Sequence, residues 1–173
     1  MTRVRFTPLA MLACGIGLIA LPLAVRMPTR LIWNASASVP IGLYAVSPVA
    51  PLRVGDLVTV APPPALERLL VERRYLGAGV PMLKHVAALG GDTVCRRSRI
   101  VSIDGVTAAK ALRNDRLGRP LPTWHGCGLL WRDQVFLLNP AEPSSFDGRY
   151  FGPLSIDTIT GRARAVFVRA GRH

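Results

Sequence analysis

Leu83-Lys84-His85-Val86-Ala87-Ala88-Leu89-Gly90-Gly91-Asp92 sets a lysine inside an apolar run that stops at a pair of glycines. From Met82 to Ala88 only Lys84 and His85 break the hydrophobic sequence, the pattern of a buried strand, and Gly90-Gly91-Asp92 turns it into a second apolar stretch, Thr93-Val94-Cys95. Lysine is scarce in this chain: Lys84 and Lys110 are its only two, and arginine carries nearly all the rest of a net charge of +12. A lysine serves as a general base only when neutral. Its reference pKa near 10.4 must then fall by roughly 2–3 units, which burial among apolar groups away from carboxylates achieves. Leu83 and Val86 to Leu89 offer such surroundings. Taken alone, the commoner reading of Lys84 is an edge-strand lysine whose ammonium reaches water.

Working outward, the body of the chain reads as mostly β. Leu43 to Ser47 and Asp56 to Ala61 have strand character and are separated by a turn region with Pro48, Pro51 and Gly55. Pro62-Pro63-Pro64 ends the second. Ala65 to Leu76 has helical spacing, with Leu66, Leu69 and Leu70 on one face and Glu67, Arg68, Glu72 and Arg73 available for water. Ile100 to Ile103, Asp104-Gly105 and Val106 onward form a hairpin signal, because Asp-Gly suits a type I′ turn. Residues 113–128 read as a loop, Val135 to Leu138 as a buried strand, and Ile156 to Val168 as the last one or two strands. The expectation is an antiparallel β domain over residues 31–173 with one short helix.

Residues 1–30 read as a membrane anchor or uncleaved signal. Phe6 to Val25 carries no charge over about 20 residues, about 30 Å as a helix, enough to match the hydrocarbon core. Arg3 and Arg5 precede the run and Arg26 and Arg30 follow it, so the positive-inside rule gives only a weak preference for a cytoplasmic N-terminus. Two processing signals compete with a retained span: Met11-Leu12-Ala13-Cys14-Gly15, a faint lipoprotein box, and Ala35-Ser36-Ala37, an A-x-A sequence beyond the run. Met27 to Trp33 reads as a connector. The arginines are scattered rather than blocked, which disfavours nucleic acid as a partner and suits contact with anionic lipid headgroups.

The second chemical segment is Asn34-Ala35-Ser36-Ala37-Ser38-Val39-Pro40-Ile41-Gly42-Leu43-Tyr44. A nucleophilic serine needs a rigid backbone and nearby oxyanion donors. Pro40 and Gly42 supply the turn, and Ser36 carries a hydroxyl of the right type to face an oxyanion. Ser-Val-Pro by itself is common. Asn34-Ala35-Ser36 also matches a glycosylation sequon.

Together with Ser144-Ser145-Phe146-Asp147-Gly148-Arg149-Tyr150-Phe151-Gly152-Pro153, these segments resemble the type I signal peptidase family, most closely its conjugative-transfer TraF-type branch. The likeness runs from Asn34 to about Ala165. It implies a signal-peptidase-like serine endopeptidase with Ser38 as nucleophile, Lys84 as base, Ser36 in the oxyanion hole, and Ser145, Asp147 and Arg149 in support. The family usually has Ser-Met-x-Pro at the serine, arginine where His85 stands, Pro-Gly-Asp where Gly90-Gly91-Asp92 stands, and serine where Gly148 stands. Without the resemblance, the Ser144–Pro153 stretch reads as a Gly/Pro turn with a surface ion pair.

The branch further implies a conjugative pilin precursor as substrate, processed and in some cases cyclised, a type IV secretion context, and an inner-membrane location with the catalytic domain in the periplasm. A general preprotein signal peptidase and a non-enzymatic basic scaffold of the transfer machinery are the alternatives. No cofactor or metal is expected. In an oxidising compartment Cys95 and Cys127 form an even pair suited to a disulfide, whose loop closure would contribute about 3–4 kcal/mol. A zinc set of Cys95, His125, Cys127 and His85 fits no usual spacing. A Ser38–His125–Asp147 triad is the rival catalytic set, although the chain has no Gly-x-Ser-x-Gly elbow.

Overall fold

The computed structural model describes residues 11, 12, 15, 31–49 and 51–169. The chain divides into two units, residues 1–30 and 31–173. The expected span Phe6–Val25 lies, but for three residues, outside the described ones. Among the described residues no helix is long and apolar enough to cross a membrane.

The second unit is built on two antiparallel sheets. Its strands are β1 (Leu31–Asn34), β2 (Gly42–Ser47), β3 (Leu57–Val60), β4 (Met82–Leu89), β5 (Thr93–Arg97), β6 (Ile100–Ile103), β7 (Val106–Lys110), β8 (Gly126–Leu129), β9 (Gln134–Leu138), β10 (Leu154–Ser155) and β11 (Ile159–Val168). The larger sheet runs β1-β2-β11-β3-β4-β9-β10 and the smaller β7-β6-β5-β8. The predicted type I′ signal is realised: Asp104 and Gly105 have φ of 48° and 80° and join β6 to β7.

The apolar alternation of the strands divides the core into three clusters. One face of the large sheet buries Val58, Val60, Met82, Val86, Val135 and Leu137 beneath Leu70 of helix α1 (Pro64–Glu72). Phe136 and Leu138, of opposite parity on β9, meet Val94 and Val101 of the small sheet. Val39, Tyr44, Leu83 and Ala163 form the third cluster. A register shift in β4 between Val86 and Ala88 brings Ala88 opposite Phe136 and into the second cluster.

Several local expectations are corrected. The connector ends in a strand, since Leu31–Asn34 pairs with Gly42–Ala45. The helix stops at Glu72 rather than Leu76: Arg74 is left-handed (φ 57°), and the Arg74 and Tyr75 amides donate back to Val71 and Leu70, a Schellman closure. The end of the 113–128 loop belongs to β8. Ile156–Thr158 is a 3-10 turn leading into β11. A four-residue helix, α2 (Gly148–Phe151), was not anticipated.

Cys95 and Cys127 face one another across β5 and β8 and are disulfide-bonded, closing a sequence separation of 32 residues. Replacing both by serine is expected to lower unfolding free energy by about 3–4 kcal/mol in urea titrations. A loss below about 1 kcal/mol would show that β8 is held without it.

Candidate active site

Lys84 sits in the middle of β4 opposite Val58 of β3, and its side chain shares a sheet face with Met82 and Val86. It is only 4% exposed. Its Nζ donates to Ser145 Oγ at 3.0 Å, and among the described residues it forms no ion pair. Burial lowers its pKa from 10.5 to about 8; the charge of Asp147 pulls upward against this and that of Arg149 downward. Lys84 is therefore no edge-strand lysine snorkelling to water. Its amine is dry and poised to lose a proton near neutral pH.

Ser145 reaches Lys84 from the segment between β9 and α2, and the ion pair beside it fixes that segment. Asp147 is completely buried and caps α2 by accepting from the Arg149 amide at 3.1 Å. Its carboxylate also takes Arg149 Nε at 2.8 Å, Arg149 Nη2 at 2.7 Å and the Asn139 amide at 2.9 Å. The other edge of the Arg149 guanidinium donates to the carbonyls of Asn139, Glu142 and Pro143. A two-pronged contact in which each guanidinium nitrogen is hydrogen-bonded is the geometry in which a buried pair is tolerated. The pair is thus not the surface contact that a Gly/Pro turn alone would suggest. Gly148 has a steric reason as well: a Cβ there would lie 2.7 Å from the Leu137 carbonyl oxygen and 2.8 Å from the Phe136 ring.

The seven residues between β1 and β2 carry the serines. Tyr44, 1% exposed, donates its hydroxyl to the Pro40 carbonyl at 2.6 Å. Gly42 passes so close to β11 that a Cβ would fall 2.1 Å from the Phe167 carbonyl oxygen. Val39 fixes the turn from below by packing in the cluster that contains Leu83, the neighbour of Lys84. Ser38 and Ser36, both half-buried, meet at 3.0 Å through their hydroxyls. Ser38 and Lys84 are not hydrogen-bonded to each other: the four candidate polar groups form two pairs, Ser36 with Ser38 and Lys84 with Ser145.

The rival constellations do not assemble. His125 is exposed and bonds to neither Ser38 nor Asp147, whose oxygens are taken by Arg149 and the Asn139 amide. The disulfide consumes both cysteines of the zinc set, and among the described residues no group of three or more His, Cys, Asp or Glu side chains is arranged to hold a metal.

Three polar residues were missed at the sequence level. Asn139, 2% exposed, donates Nδ2 to the Leu83 carbonyl and Ser145 Oγ, while its Oδ1 accepts from the His85 amide and faces His85 Nδ1. Arg96, equally buried, donates to the Arg149 carbonyl and so ties β5 to α2. Asn34 knots the serine turn. An asparagine directly after the apolar run Val135–Leu138, and before Pro140, was the one available signal for Asn139; Arg96 is indistinguishable in sequence from its neighbour Arg97.

A family model described as "Signal peptidase, peptidase S26" matches residues 3–168. A probable conjugal transfer protein TraF of Sinorhizobium fredii is 37% identical over 148 residues, 79% of this chain and 77% of that protein. A plasmid transfer protein TraF of Escherichia coli is 34% identical over 143 residues, 77% of this chain and 80% of that protein. Among solved structures, a signal peptidase I from Enterococcus faecalis aligns with a TM-score of 0.37 at 21% identity, covering 67% of this chain and 98% of that one.

Two stability measurements probe the buried charges. Arg149→Met leaves Asp147 without its partner in the interior and is expected to cost about 3–5 kcal/mol, measured by chemical denaturation. Lys84→Met works in the opposite direction. Between about pH 8 and 10.5 the folded chain has released the Lys84 proton while the unfolded chain still holds it, so wild-type stability rises with pH through that window. Lys84→Met should accordingly be the more stable protein at about pH 7, by on the order of 1–3 kcal/mol, with the gain gone above about pH 10.5. A variant less stable than wild type at neutral pH would mean that the amine is not desolvated.

Proposed function

This chain belongs to the signal peptidase family, peptidase S26, in its conjugal-transfer branch, and from that membership we propose that it is a membrane-anchored serine endopeptidase working through Ser38 and Lys84 on a conjugative pilin precursor. The observation that carries the mechanism is the buried amine of Lys84, held by Ser145 with no ion-pair partner among the described residues. A lysine in that setting is deprotonated in a useful fraction of molecules, about a tenth near pH 7 for a pKa of about 8.

The neutral amine takes the hydroxyl proton of Ser38 as Oγ bonds to the scissile carbonyl carbon, and the carbonyl π pair moves onto oxygen. For this the Ser38 hydroxyl turns from Ser36 towards Lys84. The oxyanion is received by the Ser38 amide and the Ser36 hydroxyl. When the tetrahedral intermediate collapses, the C–N bond breaks and the Lys84 ammonium returns its proton to the leaving amine. Water then releases the acyl group from Ser38, or a second amine of the substrate does so and leaves a cyclic product. Ser145 and Asn139 hold the Lys84 end, while Asp147 and Arg149 hold Ser145.

The substrate class rests on the branch: the relatives are named as conjugal or plasmid transfer proteins. The location, at the inner membrane with the catalytic unit in the periplasm, rests on the charge-free run Phe6–Val25 and on the disulfide, which suits an oxidising compartment.

Ser38→Ala and Lys84→Met are each expected to abolish processing of a pilin precursor by full-length protein in detergent or vesicles, a fall of at least about 10³-fold. For the wild type, kcat/KM should rise with pH through an apparent pKa near 8. Unchanged processing in either variant would remove the Ser/Lys mechanism. Efficient cleavage of unrelated preproteins with no preference for pilin would instead favour a general signal peptidase.

A further inference from the structure

Asn34 is the last residue of β1, pairs in register with Gly42, the first residue of β2, and is 8% exposed. It therefore closes the neck of the loop that contains both serines. Its Nδ2 lies 2.8 Å from the Ser36 carbonyl oxygen, 3.0 Å from that of Val39 and 3.2 Å from that of Pro40. Its Oδ1 accepts from the Ser36 amide at 3.1 Å and from the Ser36 hydroxyl at 2.9 Å. The amide can sit only this way round, since reversing it would place an oxygen against three carbonyls. One side chain thus gathers the backbone on both sides of Ser38 and also holds a side chain.

The hydroxyl bonds have a definite direction. A serine has one hydroxyl hydrogen, and that of Ser36 goes to Asn34 Oδ1. In its contact with Ser38 at 3.0 Å, Ser36 must then accept, so the resting chain runs from Ser38 to Ser36 to Asn34. The hydrogen that Ser36 offers an oxyanion is, before substrate arrives, parked on Asn34.

We propose that Asn34 is the positioning residue for the oxyanion hydroxyl: its Oδ1 holds the Ser36 hydrogen in the resting site and gives it up when a charged oxygen forms, while its Nδ2 keeps the turn from following. This rests on the reading of Ser38 as nucleophile and Ser36 as oxyanion donor. A neutral amide oxygen is a weaker acceptor than an alkoxide, so the Ser36 hydrogen transfers as charge develops on the substrate and the contact is stronger in the transition state than in the ground state. The Ser38 hydroxyl is freed in the same event to face Lys84. Asn34 touches no reacting atom in this scheme and acts through Ser36.

The test is a double-mutant cycle on pilin-precursor processing by the full-length protein, with Ser38→Ala as reference. Asn34→Ala should lower kcat about 10–100-fold with KM changed less than about threefold, and Ser36→Ala should lower it about 10²–10³-fold. The Ser36→Ala/Asn34→Ala double variant should be within about threefold of Ser36→Ala alone, because a residue that acts through Ser36 has nothing left to position. Losses that multiply would overturn the inference and make Asn34 a brace of the turn. Should Asn34→Ala not fold, Asn34→Gln, which keeps both an amide donor for the turn carbonyls and an acceptor for Ser36 one methylene further out, enters the same cycle. Failure of both to fold would equally make Asn34 structural. Processing that survives Ser38→Ala would sink the serine mechanism itself, whereas loss in Ser38→Ala with a multiplicative cycle would sink only the role of Asn34.

Discussion

The two-pronged contact between Arg149 and Asp147 is the constraint on which the site depends. It lies wholly inside the protein, and each of its hydrogen bonds reaches a different part of the segment that returns from β9. Asp147 holds the Asn139 amide and begins α2, and Arg149 collects three carbonyls upstream of Ser145. Ser145 is not on a strand, and nothing in its own side chain would bring it to Lys84. The ion pair does that by fixing the loop on either side. Taking two charges out of water costs several kcal/mol each, and here the donors and acceptors are arranged so that none is stranded.

Lys84 and Ser38 are positioned by different means. Lys84 occupies an interior strand, where cross-strand pairing sets its depth and direction and the apolar face around it removes water from the amine. Ser38 sits on a turn, where no ladder fixes the backbone, and side chains substitute for one: Asn34 and Tyr44 bind turn carbonyls and Val39 packs against Leu83. Rigidity at the base and adjustability at the hydroxyl suit a reaction in which one proton must leave the nucleophile and return to a different atom.

Much of this was legible in the sequence because it depends on neighbours in the chain. The period-2 and fully apolar runs gave β3, β4 and β9, Asp104-Gly105 gave its hairpin, and the leucines of 66–70 gave the helix. Lys84 stood out through the rarity of lysine, and Asp147 and Arg149 through a motif. The rest depends on contacts far apart in sequence. No local pattern separates Arg96 from Arg97, yet one is buried against α2 and the other is exposed, because alternation in β5 sends them to opposite faces. Asn34 matched a sequon, a pattern blind to the five bonds that its side chain makes once β1 meets β2. The register shift in β4 between Val86 and Ala88 also left no mark in the alternation of residues.

The reach of Arg96 to the Arg149 carbonyl has a consequence for how this architecture can change over evolutionary time. The small sheet looks replaceable, a disulfide-tied flap whose strand β8 is fully exposed. But one of its side chains ends on the backbone of the residue that steadies Ser145, so exchanging the flap between relatives withdraws a donor from a dry interior. Chimaeras cut at Gly91 and Leu130 would inherit that defect unless an arginine at the position of Arg96 travels with them. Nor is the outer hairpin free, because Val101 is buried in the cluster of Phe136 and Leu138 and must travel with a side chain of its shape.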